Sequence, residues 1–100
     1  MELNEEKLEY GFDLNKELSF CLYCGKQIGY CEFESHQGTL TITHTVVDKE
    51  FGGHGIAKKL VLKVVEYARL NHLLINPVCS YASNLLEKEE YKDILRRLQS

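Results

Sequence analysis

The sequence has little proline, no tryptophan and no long apolar run. One proline and seven glycines in 100 residues exclude a collagen-like stretch and a proline- or glycine-rich linker. The apolar runs are much shorter than the roughly 20 residues that a membrane-spanning helix needs. The opening residues are acidic and polar, which is not the pattern of a secretory signal. We therefore expect a cytoplasmic protein with a single domain over residues 1–100.

Basic charge is also scarce. Twelve lysines and arginines are outnumbered by fifteen aspartates and glutamates, which gives a net charge of -3. Because nucleic-acid affinity comes mainly from clustered lysine and arginine, this balance argues against a nucleic-acid-binding protein but is compatible with a small local anion site. We expect a monomer or weak dimer with no nucleic-acid or membrane partner.

The residues that are present predict strands, then a helix, a strand and a helix. Predicted strands cover residues 19–23, 27–34 and 39–47, and a buried strand covers 73–79. Helical spacing covers 55–70 and 81–98, the latter in two pieces broken around 88–91. Residues 1–18 fit either a strand or a short helix. The order favours an α/β sandwich with a mixed sheet. Alternation in 39–47 assigns one face to Leu40, Ile42, His44 and Val46.

A glycine-rich loop joins the third strand to the helix. Gly52, Gly53 and Gly55 let the backbone approach a ligand closely, and the helix begins with N–H groups that lack a partner. Such a site suits phosphate or pyrophosphate, and Lys58 and Lys59 add positive charge nearby. Because a plain strand-to-helix turn needs fewer glycines, we favour the anion site. The pattern is neither a P-loop nor the dinucleotide fingerprint of a parallel βαβ unit.

The same loop resembles the acetyl-coenzyme A loop of the GCN5-related N-acetyltransferases. Its sequence at residues 52–57, Gly-Gly-His-Gly-Ile-Ala, is similar to the family signature Gln/Arg-x-x-Gly-x-Gly/Ala. Gly55 and Ala57 match the last two fixed positions, whereas Gly52 stands where Gln or Arg is usual. Segments 44–47, 77–81 and 87–93 resemble a small, minimal acetyltransferase-like subfamily. The resemblance covers residues 27–94 and implies a mixed, mostly antiparallel sheet with helices packed on it.

The resemblance also implies where acetyl-coenzyme A binds as a substrate. The pyrophosphate would lie on the backbone amides of residues 53–58, and the pantetheine arm along residues 45–47. The acetyl thioester would lie between His44 and Cys79. The implied coenzyme-binding residues are Val46, Val47, Gly52, Gly53, His54, Gly55, Ile56, Ala57 and Lys58.

His44 and Cys79 are the candidate catalytic residues. By the pattern alone, His44 fits a core histidine and Cys79 a small buried apolar residue. The resemblance implies acetyl transfer to an amine of unknown identity: a small molecule, a lysine or an N-terminus. In one route His44 is the general base for direct attack, and a backbone N–H near Val46 polarises the carbonyl. In the other, which we favour, Cys79 pairs with His44 and takes the acetyl group first. Tyr81 is a candidate proton donor.

A zinc site is the alternative use of the cysteines. Four potential ligands lie within sixteen residues, at Cys21, Cys24, Cys31 and His36. Their spacing is unusual for zinc, and the flanking residues predict strands, in which Cys21 and Cys24 point to opposite faces. We therefore expect free thiols and no metal. A coenzyme-A-binding module without turnover and a zinc-stabilised interaction domain are the alternatives to an enzyme.

Overall fold

A five-stranded sheet forms the centre of the molecule. The structure is a computed structural model that describes residues 3–96. After a 3-10 turn at Glu5–Lys7, the strands lie side by side in chain order: β1 Leu8–Asp13, β2 Leu18–Tyr23, β3 Lys26–His36, β4 Thr39–Val47 and β5 Leu74–Pro77. β1 to β4 are antiparallel to their neighbours, and β5 is parallel to β4. Helix α1, Ile56–Leu70, connects β4 to β5, and α2, Ser80–Leu85, follows β5. The expected mixed, mostly antiparallel sheet with packed helices is confirmed.

Tight turns make the first four strands a meander. The β2–β3 and β3–β4 turns each use two residues at positive φ, Cys24-Gly25 and Gln37-Gly38, a backbone that matches the twist of the flanking strands. The segment 1–18, which the sequence left undecided, contains β1. Its alternating apolar side chains at Leu8, Tyr10 and Phe12 pack against the core.

Helix α1 packs on one face of the sheet. Its buried stripe consists of Ile56, Leu60, Val61, Val64, Val65 and Ala68. Across this interface the Ser19 hydroxyl donates a buried hydrogen bond to the Leu60 carbonyl, at 2.8 Å. The Phe12 ring stacks on Phe33 and Tyr67, with ring centroids 5.4 and 4.7 Å apart. Each large apolar side chain in this layer contributes roughly 1.5–3 kcal/mol by burial. Within residues 3–96, neither helix has the length and apolar character to cross a bilayer.

Among residues 3–96, the opposite face of the sheet is left uncovered. In the strand register, Gly11, Phe20, Tyr30 and Val46 form a row across β1 to β4. The Phe20 ring lies over Gly11, where an added Cβ would approach it to 2.3 Å. We call this surface the open sheet face, because its apolar side chains are half-buried or exposed and stay outside the core cluster. They are Leu18, Phe20, Leu22, Tyr30 and Val46.

The prediction of a helix over 81–98 is wrong beyond Leu85. A 3-10 turn covers Glu89–Tyr91, and Leu95 forms a parallel bridge with Ile75 of β5. The Ile75 N–H donates to the Ile94 carbonyl at 2.6 Å, and the Arg96 N–H donates to the Ile75 carbonyl at 2.8 Å. The outer edge of β5 offers unpaired backbone groups, and this extended segment satisfies them where a helix would not. Residues 97 and 98 of that prediction lie outside the described residues.

Candidate active site

The candidate site begins where β4 and β5 separate. The two strands pair only from Thr39 to Ile42 on β4. There the Ile42 carbonyl accepts hydrogen bonds from the N–H groups of both Val78 and Cys79, each at 3.0 Å. Beyond this point β4 continues to Val47 with β3 on one side and no β5 ladder on the other. The outer edge of residues 43–47 can therefore pair with an extended ligand.

The glycine loop lies at the end of this free edge. A 3-10 turn at Lys49–Phe51 leads into Gly53 and Gly55, at φ of 81° and 76°. An added Cβ at either glycine would meet open space, and no side chain caps the first turn of α1. The loop borders a cavity of about 240 Å³ whose lining residues are Val47, Phe51, Gly52, Gly53, Gly55, Ile56, Ala57 and Tyr81. Open space over the glycines therefore lies beside the start of a helix, the kind of place where backbone N–H groups can bind an anion.

The basic side chains near the loop point in two different directions. His54 and Lys58 are exposed beside the loop. Lys59 instead holds its ammonium 5.6 Å from the centroid of the Tyr10 ring, over β1. Of the two lysines predicted to meet phosphate, only Lys58 is left for that role. Tyr81 lines the same cavity, and burial raises its phenol's pKa above the ordinary value of 10.0.

Cys79 marks the point at which the strands separate. It is the N-cap of α2, where its Sγ accepts the N–H of Ala82 at 3.3 Å. The hydroxyl of Thr45 lies 3.3 Å from Cys79 Sγ and donates to Cys31 Sγ at 3.7 Å. Cys31 is fully buried, and burial raises the pKa of its thiol to about 11. Cys79 is only half-buried, so it is the thiol of this pair that a ligand can reach.

His44 lies on the other face of the sheet, and its predicted alignment with Leu40 and Ile42 is wrong. The pairing of β3 with β4 shifts between Glu32 and Phe33, which face His44 and Ile42. Thr43 is the extra residue of this bulge, and it reverses the alternation of all residues that follow. Thr45 and Val47 therefore point toward the core, and His44 and Val46 toward the open sheet face.

The predicted catalytic pair is therefore not in contact. The His44 side chain is 68% exposed, and its Nδ1 lies 3.5 Å from the carboxylate of Glu32. Cys79 contacts the hydroxyl of Thr45, which projects to the opposite side. The structure brings Cys79 together with Thr45 and Cys31, and His44 together with Glu32, on the two faces of the same strand.

Sequence reasoning placed Thr45 only along the pantetheine arm and missed its contact with Cys79, and it did not identify Glu32. Counting outward from the Gln37-Gly38 turn pairs Glu32 with Thr43, because that count contains no bulge. The observed partner of Glu32 is His44. Thr45 carries a signal only in its spacing of two residues from Val47, which identifies a shared face but not contact with a distant cysteine.

The four candidate zinc ligands lie apart. Cys24 is in the β2–β3 turn, and His36 is at the other end of β3. Ten residues of extended strand between positions 26 and 36 span roughly 33 Å, which no single metal ion bridges. Within residues 3–96, no group of three or more potential ligands could hold a metal ion. The cysteines in this part of the chain are free thiols.

The sequence profile of the GCN5-related N-acetyl-transferases matches residues 19–94. The chain belongs to this family. A GCN5-like protein from Staphylococcus aureus, proposed to be an N-acetyltransferase and solved by NMR, is 32% identical, with a TM-score of 0.72. The alignment covers 93% of this chain and 92% of that chain. The resemblance drawn from the loop and its flanking segments is confirmed at the level of the family.

More distantly similar N-acetyltransferases share the fold. The PaiA N-acetyltransferase from Thermoplasma acidophilum, in complex with coenzyme A, has a TM-score of 0.58 at 14% identity over 68% of this chain and 46% of that chain. A ribosomal-protein-alanine N-acetyltransferase from Brucella melitensis has a TM-score of 0.60 at 17% identity over 83% of this chain and 63% of that chain. A search of curated proteins gave no match.

Proposed function

We propose that this protein binds acetyl-coenzyme A between β4 and β5 and transfers the acetyl group to a primary amine. The observation that carries the proposal is the separation of β4 from β5 after Ile42, directly beside the glycine loop. The amide groups of pantetheine can pair with a free strand edge, as an added strand does. The loop amides and the start of α1 suit the pyrophosphate. Family membership and a relative solved with coenzyme A support the same donor.

The donor would contact the residues that the family resemblance implies for it. Val46 and Val47 provide the strand edge, and residues 52–58 provide the loop and the first helical turn. The open space over Gly53 and Gly55 supports this arrangement, because a side chain at either position would stand between the ligand and the backbone N–H groups.

We assign Cys79 and His44 to two successive steps rather than to a hydrogen-bonded pair. Cys79 attacks the thioester carbonyl, the acetyl–Cys79 bond forms as the bond to the coenzyme sulfur breaks, and the cysteine proton goes to the departing thiolate. His44 then takes a proton from the acceptor ammonium, and the resulting amine attacks acetyl-Cys79. The amide forms, and the amine's second proton restores the Cys79 thiol.

Thr45 is the positioning residue for Cys79 in this mechanism. Its hydroxyl lies 3.3 Å from the sulfur that would carry the acetyl group. A hydrogen bond of this kind is worth about 1 kcal/mol, which corresponds to roughly a fivefold to tenfold change in rate. We expect Thr45→Val to slow acetylation of Cys79 by that factor and Thr45→Ser to restore it.

The test is a native mass spectrum of the protein with and without acetyl-coenzyme A, followed by peptide mapping of any covalent acetyl group. We expect a donor complex and an acetyl thioester on Cys79 that neutral hydroxylamine removes. Cys79→Ala should keep the donor complex and lose the adduct. When an amine is then added, the parent protein should lose the adduct and His44→Gln should retain it. Cys24→Ala, at an exposed cysteine in a turn, is the matched control and should behave as the parent protein.

Two results would change the proposal. If the donor binds and an amine is acetylated while Cys79 stays unmodified, the amine attacks acetyl-coenzyme A directly and His44 alone is catalytic. If no donor complex forms, the loop is a plain turn and the acetyltransferase proposal is wrong. A donor complex without transfer to any amine would identify a coenzyme-A-binding module.

A further inference from the structure

We infer that the open sheet face is the acceptor-binding surface, and that it binds an extended basic peptide of another protein presenting a lysine. This inference rests on the proposed acetyl transfer and names its acceptor class. It starts from an apolar surface that no part of residues 3–96 covers. Phe20, Tyr30 and Val46 lie in one row across three strands, and Val46 is 41% exposed. Contiguous exposed apolar surfaces bordered by polar residues are often binding sites, whereas single exposed apolar residues are ordinary.

The charge of this face selects a cation. The strand register places four carboxylates around the apolar row: Glu9, Asp13, Glu32 and Glu34. No lysine or arginine lies among the strand residues that share this face within residues 3–96. A ligand that brings positive charge gains from this field, and a neutral or acidic one does not.

The same face carries His44, the residue that we propose as the general base. Glu32 lies beside His44, and His44 precedes Val46 on the edge of β4 that we assign to the donor. A lysine ammonium that contacts the Glu32 carboxylate is therefore held next to the imidazole that would take its proton. Glu32 acts as the positioning and specificity residue, because it attracts the charged form of the acceptor and orients the base.

The dimensions of the row favour a peptide over a small amine. Four strands spaced about 4.8 Å apart make the row from Gly11 to Val46 roughly 14 Å long, the length of about four extended residues. Its side chains are too widely spread to surround a molecule of a few atoms. A second copy of this chain fits less well, because face-to-face pairing would oppose the carboxylates of one copy to those of the other.

The test uses three amines with the full chain and saturating acetyl-coenzyme A. They are an end-blocked pentapeptide, Leu-Arg-Lys-Arg-Leu, the same peptide with both arginines replaced by glutamate, and spermidine. Binding to the 15N-labelled protein is also followed by amide shifts without the donor, so that it is measured apart from transfer. We expect the basic peptide to shift the amides of Phe20, Tyr30 and Val46 and to be acetylated at least tenfold more efficiently than the other two.

Charge reversal locates the effect. Glu34→Lys lies on the open sheet face, and Glu66→Lys is the matched control on an exposed position of α1. We expect Glu34→Lys to weaken binding of the basic peptide roughly fivefold and Glu66→Lys to leave it unchanged. Glu32→Gln should raise KM for the basic peptide more than for the acidic one, a difference that loss of folding would not produce.

Each alternative has its own signature. Spermidine acetylated as efficiently as the basic peptide would show a small-molecule acceptor and overturn the inference. Concentration-dependent shifts of the same amides without peptide would show a second copy on this face and also overturn it. If the peptide binds the face but acetyl-coenzyme A does not bind the protein, the face is a peptide-binding surface and the proposed transfer fails.

Discussion

At the scale of single residues, Cys31 couples the stability of the fold to pH. Burial raises the pKa of its thiol from 9.0 to about 11, against hydrogen bonds to Thr45 and Ser19 that lower it. The unfolded chain therefore loses this proton near pH 9, whereas the folded protein keeps it to about pH 11. The stabilisation is fully present below pH 9 and is lost as the pH rises toward 11.

We expect this loss to reach about 1.4 kcal/mol between pH 7 and pH 10, since one pKa unit is worth that much. Urea unfolding at both pH values should show the parent protein losing this amount more than Cys31→Ala, because the groups common to both proteins cancel in the comparison. Cys24→Ala, at an exposed thiol, should keep the parent's pH dependence. Equal losses in the parent and Cys31→Ala would contradict the assignment.

The position of His44 shows how one extra residue in a strand can make a prediction of its two faces wrong. Alternation correctly placed Leu40 and Ile42 in the core, because strand periodicity holds as far as the bulge. The bulge at Thr43 then exchanges the two faces, and nothing in the run of threonines and β-branched residues distinguishes Thr43 from its neighbours. The contacts that depend on this exchange therefore could not be predicted from the sequence. They are the contact of Thr45 with Cys79 and that of Glu32 with His44.

At the scale of elements, alanine substitutions in the glycine loop can distinguish the energetic cost of a left-handed backbone from an effect on ligand binding. Gly53 and Gly55 have φ values of 81° and 76°, and an added Cβ at either would meet open space. Gly25 and Gly38, in the two hairpin turns, have φ of 80° and equally open surroundings, so they are matched controls. Alanine at any of the four should destabilise the fold by about 1 kcal/mol, because only the left-handed backbone opposes it.

Only the loop variants should affect the donor. We expect Gly53→Ala and Gly55→Ala to weaken coenzyme A binding about tenfold, because the new methyl group stands where the pyrophosphate would approach the backbone. Isothermal titration with coenzyme A measures the affinity, and urea unfolding checks that all four variants lose the same stability. Unchanged affinity in both loop variants would mean that the pyrophosphate lies elsewhere.

Predictability also differed among the elements. Helix α1 was predicted within one residue, because its apolar stripe has helical spacing and a glycine precedes it. The segment after Leu85 was not predicted correctly, because the apolar residues Ile94 and Leu95 fit either a helix or pairing with a strand edge. What decides between them is the free edge of β5 at Ile75, which only the folded sheet provides.

At the scale of the whole molecule, Arg69 fastens the last described segment to the body of the fold. From the end of α1 its guanidinium donates to the Glu90 carbonyl at 2.7 Å and to the Asp93 carboxylate at 3.1 Å. It also lies 5.8 Å from the centroid of the Tyr91 ring, which is buried. The segment in turn pairs with the outer edge of β5 at Ile75. β5 lies next to β4 in the sheet, and Cys79 follows two residues after β5 ends.

We therefore expect Arg69→Ala to lower the free energy of unfolding by about 1–2 kcal/mol, since two exposed charge-assisted hydrogen bonds and a cation–π contact are lost. Amide exchange at Ile75 and Arg96 should accelerate more than in the centre of α1, because the segment opens locally before the core does. Lys92→Ala is the control, since its ion pair with Glu89 is exposed and worth little. If Ile75 and Arg96 kept their protection in Arg69→Ala, the apolar packing of Tyr91 and Ile94 alone would hold the segment in place.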